Sequence, residues 1–280
     1  MRWRGRRQSS NVEDRRGQGM LRSKRGAGGG AMILLVLAGL FFGEDVQKVL
    51  SLFVGNGQVS QQSQPTTTQA SNDQNKQFVS TILAETEDTW NAVFAESGSS
   101  YQAPKLVLYE GRTPTACGVG QAASGPFYCP GDYKIYIDLS FMNELKKMGA
   151  PGDFAFAYVI AHEVGHHIQN LIGVASDVRQ KQARASKAVA NGLSVKMELQ
   201  ADCLAGIWIN HTERRSSILE QGDIEEGFSA AAAVGDDTIM SRAGMPPRRE
   251  NFTHGSSKER MHWFQQGMKT GSINSCQTFD

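Results

Sequence analysis

Along this chain the apolar residues come first as one unbroken run, then at helical spacing, then in alternation, and finally at helical spacing again. Residues 31–42 (AMILLVLAGLFF) form the centre of an uncharged stretch, 26–43, whose eighteen residues reach the lower limit for crossing a bilayer. The stretch 55–76 consists largely of Gln, Ser, Thr and Asn, so it has too little apolar surface to build a core. From residue 76 to 97, Phe78, Ile82, Leu83, Trp90, Val93 and Phe94 recur at the spacing of an amphipathic helix. Segments 105–109 and 134–139 alternate and are rich in branched and aromatic residues, which predicts strands. The second is expected to border a cleft and to offer its edge to an extended peptide. Beyond Gly173, helices are predicted at 176–190, 194–210, 223–234 and 257–270, the last opened by a capping box from Ser256 to Glu259. The fold class is therefore α+β, a small sheet with a helical C-terminal half in one domain over 77–280, preceded by one N-terminal transmembrane helix.

Between the second strand and Gly173 lies the run 153–161 (DFAFAYVIA), which continues without proline into His162-Glu163-Val164-Gly165-His166. Asp153, after Pro151-Gly152, is expected to cap a buried helix. Residues four apart are neighbours across one helical turn, so His162 and His166 can grip one metal ion. Glu163 sits beside the first of them, where it can take a proton from a water at the metal. Gly165 is costly inside a helix by up to about 1 kcal/mol relative to alanine, and a small residue there admits a close neighbour.

A catalytic zinc takes three protein ligands and keeps one position open. The extended motif that would supply a third histidine fails here, because Gln169 and Ile172 stand where glycine and histidine are needed. The segment 194–209 offers Glu198 and Asp202 four apart, on a face otherwise made of small and apolar residues. Two buried carboxylates need a cation or donors to remain charged. Glu198 is expected to be the third ligand, and Asp202 to hold the free N–H of a ligand histidine. Spacing alone also allows Asp202 as the ligand.

The segments 125–130 (GPFYCP), 161–169 (AHEVGHHIQ), 198–203 (ELQADC) and 252–257 (FTHGSS) resemble the bacterial neutral zinc metallopeptidase family. The likeness runs from the basic N-terminus to Phe279 and implies a membrane-anchored zincin domain of the gluzincin type. It implies Zn2+ as cofactor and a peptide or protein as substrate. His254, just before the last helix, is expected to enter the cleft and donate to the oxyanion of the tetrahedral intermediate. Arg260, one turn further on, can orient Asp202 or a substrate carbonyl. His167 faces away from the His162/His166 pair, His211 and His262 are peripheral, and Trp208 and Trp263 are expected in the core. The same residues also suit a catalytically silent zincin that binds envelope peptides, or a hydrolase of cell-wall amide bonds.

Charge adds location. The net charge of +1 argues against nucleic acid as a partner. Nine Lys and Arg residues crowd positions 1–25 against Glu13 and Asp14, which predicts a cytoplasmic arm before the 26–43 span. A polar tether over 44–76 and an extracytoplasmic catalytic domain at a bacterial cell membrane would follow. All four cysteines lie in the outward domain, as an oxidising compartment favours. Of three possible connectivities, Cys117–Cys129 with Cys203–Cys276 is favoured, since the first pair brackets a short glycine-rich loop.

Overall fold

In the computed structural model, residues 1–17 and 67–279 are described. Strand β1 (Val12–Asp14) precedes helix α1 (Thr67–Glu96), followed by β2 (Lys105–Tyr109), β3 (Arg112–Thr115), β4 (Gly118–Gln121), β5 (Phe127–Cys129) and β6 (Lys134–Asp138). Helices α2 (Phe141–Lys147), α3 (Asp153–Leu171), α4 (Val174–Gln182), α5 (Lys187–Ser216), α6 (Asp223–Ala233), α7 (Asp236–Arg242) and α8 (Ser257–Thr270) complete the chain. The α+β class holds. Residues 1–17 and 70–280 make up one compact unit.

The main sheet has the order β1-β2-β6-β5, with β1, β2 and β6 parallel and β5 antiparallel at one edge. The expectation that segment 134–139 borders the cleft is thereby corrected. β6 lies between β2 and β5, which pairs with its first three residues, and among the described residues the open edge next to α3 belongs to β5. Tyr128 of β5 fastens that edge to α3, since its hydroxyl meets Nδ1 of His167 at 3.0 Å and Nδ2 of Asn170 at 3.2 Å. Burial drives the His167 imidazole down to about 4. Its Nε2 donates to the carbonyl of Gln102 at 2.6 Å, so Nδ1 is left to accept from Tyr128.

Two further boundaries move. Helix α1 begins at Thr67, so the last part of the expected tether is helical. The helices predicted at 176–190 and 194–210 divide instead at Ala183–Ser186, and α5 runs for 30 residues from Lys187. Trp208 is fully buried against Phe154, as expected, whereas Trp263 is half-buried beside His262.

The largest correction concerns the basic N-terminus. Residues 12–14 pair in register with 106–108, so β1 is an edge strand of the domain sheet. Residues 1–17 therefore belong to the same compact unit as residues 70–280 and do not form a separate arm. Two of the nine cationic residues that read as a topology signal are matched by α1: Arg6 meets Glu85 at 3.2 Å, and Arg7 meets Glu87 at 3.0 Å and Asp88 at 2.7 Å. Among the described residues no helix is long and apolar enough to cross a membrane, and the expected span 26–43 lies outside them.

The chain start also grips the start of α3. Asp153 does not cap the helix; Gly152 precedes it at φ 113°, and the carboxylate of Glu226 accepts from Phe154 N at 3.0 Å. Asp153 instead receives the Met1 ammonium at 2.9 Å and the Trp3 indole N–H at 3.1 Å. Glu220 and Asp223 face the same ammonium at 3.1 and 3.3 Å. Burial opposes that charge, but Asp153 and Glu220 outweigh it and raise the amine to about 10 from 8.0. A group raised on folding stabilises fully below its unfolded value and loses that contribution as pH climbs through its folded value. The melting temperature should therefore fall between pH 8 and 10, and thermal scans of Asp153→Asn should show a flatter decline over that window.

Candidate metal centre

Helix α3 is apolar almost all round, as a core helix must be, and fifteen of its residues are buried. His162 and His166 project from one face, their rings 4.7 Å apart and nearly perpendicular. The opposing wall is α5, and its closeness depends on Gly165. A Cβ at that position would stand 2.9 Å from the carbonyl oxygen of Ala201. Glycine here lets the backbone of α5 approach α3 beside His166 and one turn after His162. Alanine at 165 should force the helices apart, costing about 1–3 kcal/mol in stability by overpacking and lowering zinc affinity. Denaturant unfolding and chelator competition would measure the two effects.

That approach places Glu198 between the imidazoles. Its carboxylate oxygens lie 3.2 Å from Nε2 of His162 and 3.3 Å from Nε2 of His166. One ligand atom from each of the three residues falls within 4.8 Å of the others. Burial works against the Glu198 charge, but the two histidines override it and hold the carboxyl well below its usual range. His166 is raised despite its burial, chiefly by Glu198. His162 is likewise pushed up to about 9 by Asp202 and Glu198 against the effect of burial. The carboxylates thus favour positive charge at this point, which a metal cation would supply.

The Nδ1 atoms are already engaged, which leaves both Nε2 atoms aimed at one point. Asp202, fully buried, accepts from His162 Nδ1 at 2.8 Å. Spacing left open whether Asp202 or Glu198 faces the histidines' Nε2 atoms; here Glu198 does, and Asp202 stands behind His162. Arg260 grips Asp202 with Nε at 2.8 Å and Nη2 at 2.9 Å, and the Tyr158 hydroxyl donates to the same carboxylate. Burial alone would neutralise Asp202, but Arg260 and His162 hold it below its ordinary value. Arg260 also comes within 3.8 Å of Glu198.

Glu163 is 7% exposed and makes no side-chain hydrogen bond among the described residues. Burial raises its pKa, against the pull of both histidines. An unpaired, nearly buried carboxylate beside such a cluster is poised to take a proton.

His254 arrives from the loop before α8, which opens with the expected capping box on Ser256. Its placement depends on Asp236, a residue not singled out in the sequence. One Asp236 oxygen accepts from the backbone N–H groups of Thr253, His254 and Gly255 at 2.8, 2.6 and 2.9 Å. The other oxygen lies 3.3 Å from His254 Nδ1. Gly255 sits against Leu199, so the loop rests on α5 one residue from Glu198. Burial disfavours the His254 charge, but Asp236 and Glu198 together raise it. The only sequence trace of this arrangement is an aspartate at the start of a short helix, with nothing to link it to a loop seventeen residues later.

Both favoured disulfides are present. Cys117–Cys129 closes the β3–β4 hairpin onto β5, and Cys203–Cys276 ties the C-terminal tail to the helix carrying Glu198.

Two imidazoles and one carboxylate converging on a point, with an unpaired carboxylate beside them, form the donor set of a zinc hydrolase centre. The chain belongs to the family described as "Putative neutral zinc metallopeptidase", whose model matches residues 1–279. It is similar to the uncharacterized protein YpfJ of Escherichia coli K12, 47% identical over 289 residues that cover 100% of this chain and 99% of YpfJ. It is also 38% identical to the uncharacterized protein Rv2575 of Mycobacterium tuberculosis H37Rv, over 213 residues covering 72% of this chain and 71% of that protein. No solved structure matches the chain.

Proposed function

We propose that this chain is a zinc-dependent peptidase of the gluzincin type, with Glu163 as general base. The observation that carries the reading is the meeting of His162, His166 and Glu198 around one point with Glu163 unpaired beside them. When bound there, zinc supplies a Lewis acid that polarises a carbonyl and makes water a stronger acid at neutral pH. Glu163 takes the proton of the attacking water and passes it to the leaving amine. His254, placed by Asp236, donates to the oxygen that becomes negative in the transition state. Asp202 and Arg260 keep His162 oriented and do not touch the substrate.

An extended peptide or protein segment would add to the free edge of β5, which is fastened to α3 through Tyr128. The two disulfides fit an extracytoplasmic domain of a bacterial envelope. Attachment to a membrane through 26–43 remains part of the proposal, in a form that keeps residues 1–17 with the domain.

Metal analysis of the dialysed full chain tests the centre. One zinc per chain is expected, with loss of zinc and of casein hydrolysis in Glu198→Ala. Full zinc content in Glu198→Ala would move the third ligand elsewhere.

A further inference from the structure

His166 is oriented by a chain of hydrogen bonds that leaves the zinc centre in the opposite direction from Asp202. Its Nδ1 meets Oε1 of Gln169 at 2.9 Å. The Gln169 amide nitrogen donates to the carbonyl of Met197 at 2.7 Å and to Oε1 of Gln200 at 3.1 Å. The Gln200 amide nitrogen in turn donates to the carbonyl of Cys276 at 3.2 Å. Gln169 and Cys276 are buried, and Gln200 is 9% exposed.

The direction of this chain is set by the backbone. A carbonyl oxygen only accepts, so Met197 requires the NH2 end of Gln169, and Cys276 requires the NH2 end of Gln200. Turning either amide over would set two acceptors against each other inside the protein, at the cost of a buried unsatisfied group. Both anchors therefore point the Gln169 oxygen at His166. That oxygen accepts a hydrogen from Nδ1, which commits Nε2, beside Glu198, to be the atom that would take a metal.

The outer anchor is the C-terminal tail. The Cys203–Cys276 bridge joins it to α5, the Thr278 hydroxyl donates to Lys196 O at 2.7 Å, and Lys196 Nζ donates to Phe279 O at 3.1 Å. The same helix carries Glu198, so the tail braces the wall that supplies a ligand and the relay that orients another.

We propose that Gln169 and Gln200 are positioning residues that lock His166 in its metal-binding tautomer, with the disulfide-held tail as their outer support. This rests on His166 being a zinc ligand, as proposed above. The tautomer is read in the full chain, metal-free, labelled with 15N histidine, at alkaline pH and carrying Glu198→Ala, so that Gln169 is the acceptor left at His166; zinc affinity is read with Glu198 in place. Two-bond 1H–15N correlation should show His166 protonated at Nδ1, shifting toward Nε2 protonation in Gln169→Leu and, less far, in Gln200→Leu. Chelator competition should show zinc affinity about 10–100-fold lower in Gln169→Leu. Reducing Cys203–Cys276 should lower it as well, with a Cys117→Ala, Cys129→Ala chain as the background in which only that bridge exists. An unchanged tautomer in both variants would overturn the proposal, and so would unchanged zinc affinity in a folded Gln169→Leu. If Gln169→Leu does not fold, Gln200→Leu decides by the same two readings. An Nδ1 tautomer in the Glu198→Ala chain, beside a wild-type chain that takes up no zinc, would refute the zinc reading while leaving the relay intact.

Discussion

Glu163→Gln should retain one zinc per chain and lose peptide hydrolysis by about 100- to 10,000-fold. The substitution preserves shape and removes the group that takes and returns a proton. Glu163 has no hydrogen-bond partner among the described residues and does not meet the point where the ligand atoms converge, so neither folding nor metal binding depends on its charge. Initial rates on a fluorogenic peptide, set beside metal content, separate the two roles. Residual turnover near the wild-type rate would remove Glu163 from the mechanism.

Arg260→Met should produce the second large effect, in stability. Asp202 is fully buried, and its ion pair with Arg260 is buried on both sides. Taking Arg260 from this pair leaves the buried Asp202 charge with only His162 and Tyr158 to offset it, at a cost of up to about 3–5 kcal/mol. For a domain of this size that corresponds to a fall in melting temperature of roughly 6–20 °C. Adding Asp202→Asn should restore most of the loss, because the stranded charge disappears with its partner. It should not restore zinc affinity, since His162 then lacks an ionised acceptor at Nδ1. Thermal unfolding of the two single variants and the double variant closes the cycle. A melting temperature for Arg260→Met within a degree or two of wild type would show that water or rearrangement already shields Asp202.

What could be read in advance depended on whether partners sit on one element. His162, Glu163 and His166 share one helix, and Glu198 and Asp202 share another, so fixed helical spacing exposed both halves of the centre. Gly165 signalled a close neighbour, and the neighbour is the helix that carries Glu198. The groups that hold these residues were silent. Asp236 reaches His254 across a turn of fold, and Gln200 reaches Cys276 only after the tail has folded back. Tyr158 looked like any aromatic residue of a core helix until Arg260 and Asp202 closed around it. Tertiary packing creates such contacts, and no period in the sequence records them.

The N-terminus misled for a related reason. A cluster of arginines before an apolar run carries the same pattern whether it faces lipid or protein. Here Glu85, Glu87 and Asp88, one helix away and some eighty residues later, pair with two of its members, Arg6 and Arg7. The three residues of β1, Val12-Glu13-Asp14, are too short and too charged to announce a strand, and only an open neighbour in β2 makes them one.

The central claim is that this centre cuts peptide bonds. The most direct measurement is to incubate the zinc-loaded full chain with a diverse peptide library and map new termini by mass spectrometry. A consistent set of internal cuts, absent after chelation and restored by zinc, is the result expected here. A chain that holds its zinc and leaves every peptide whole would contradict it.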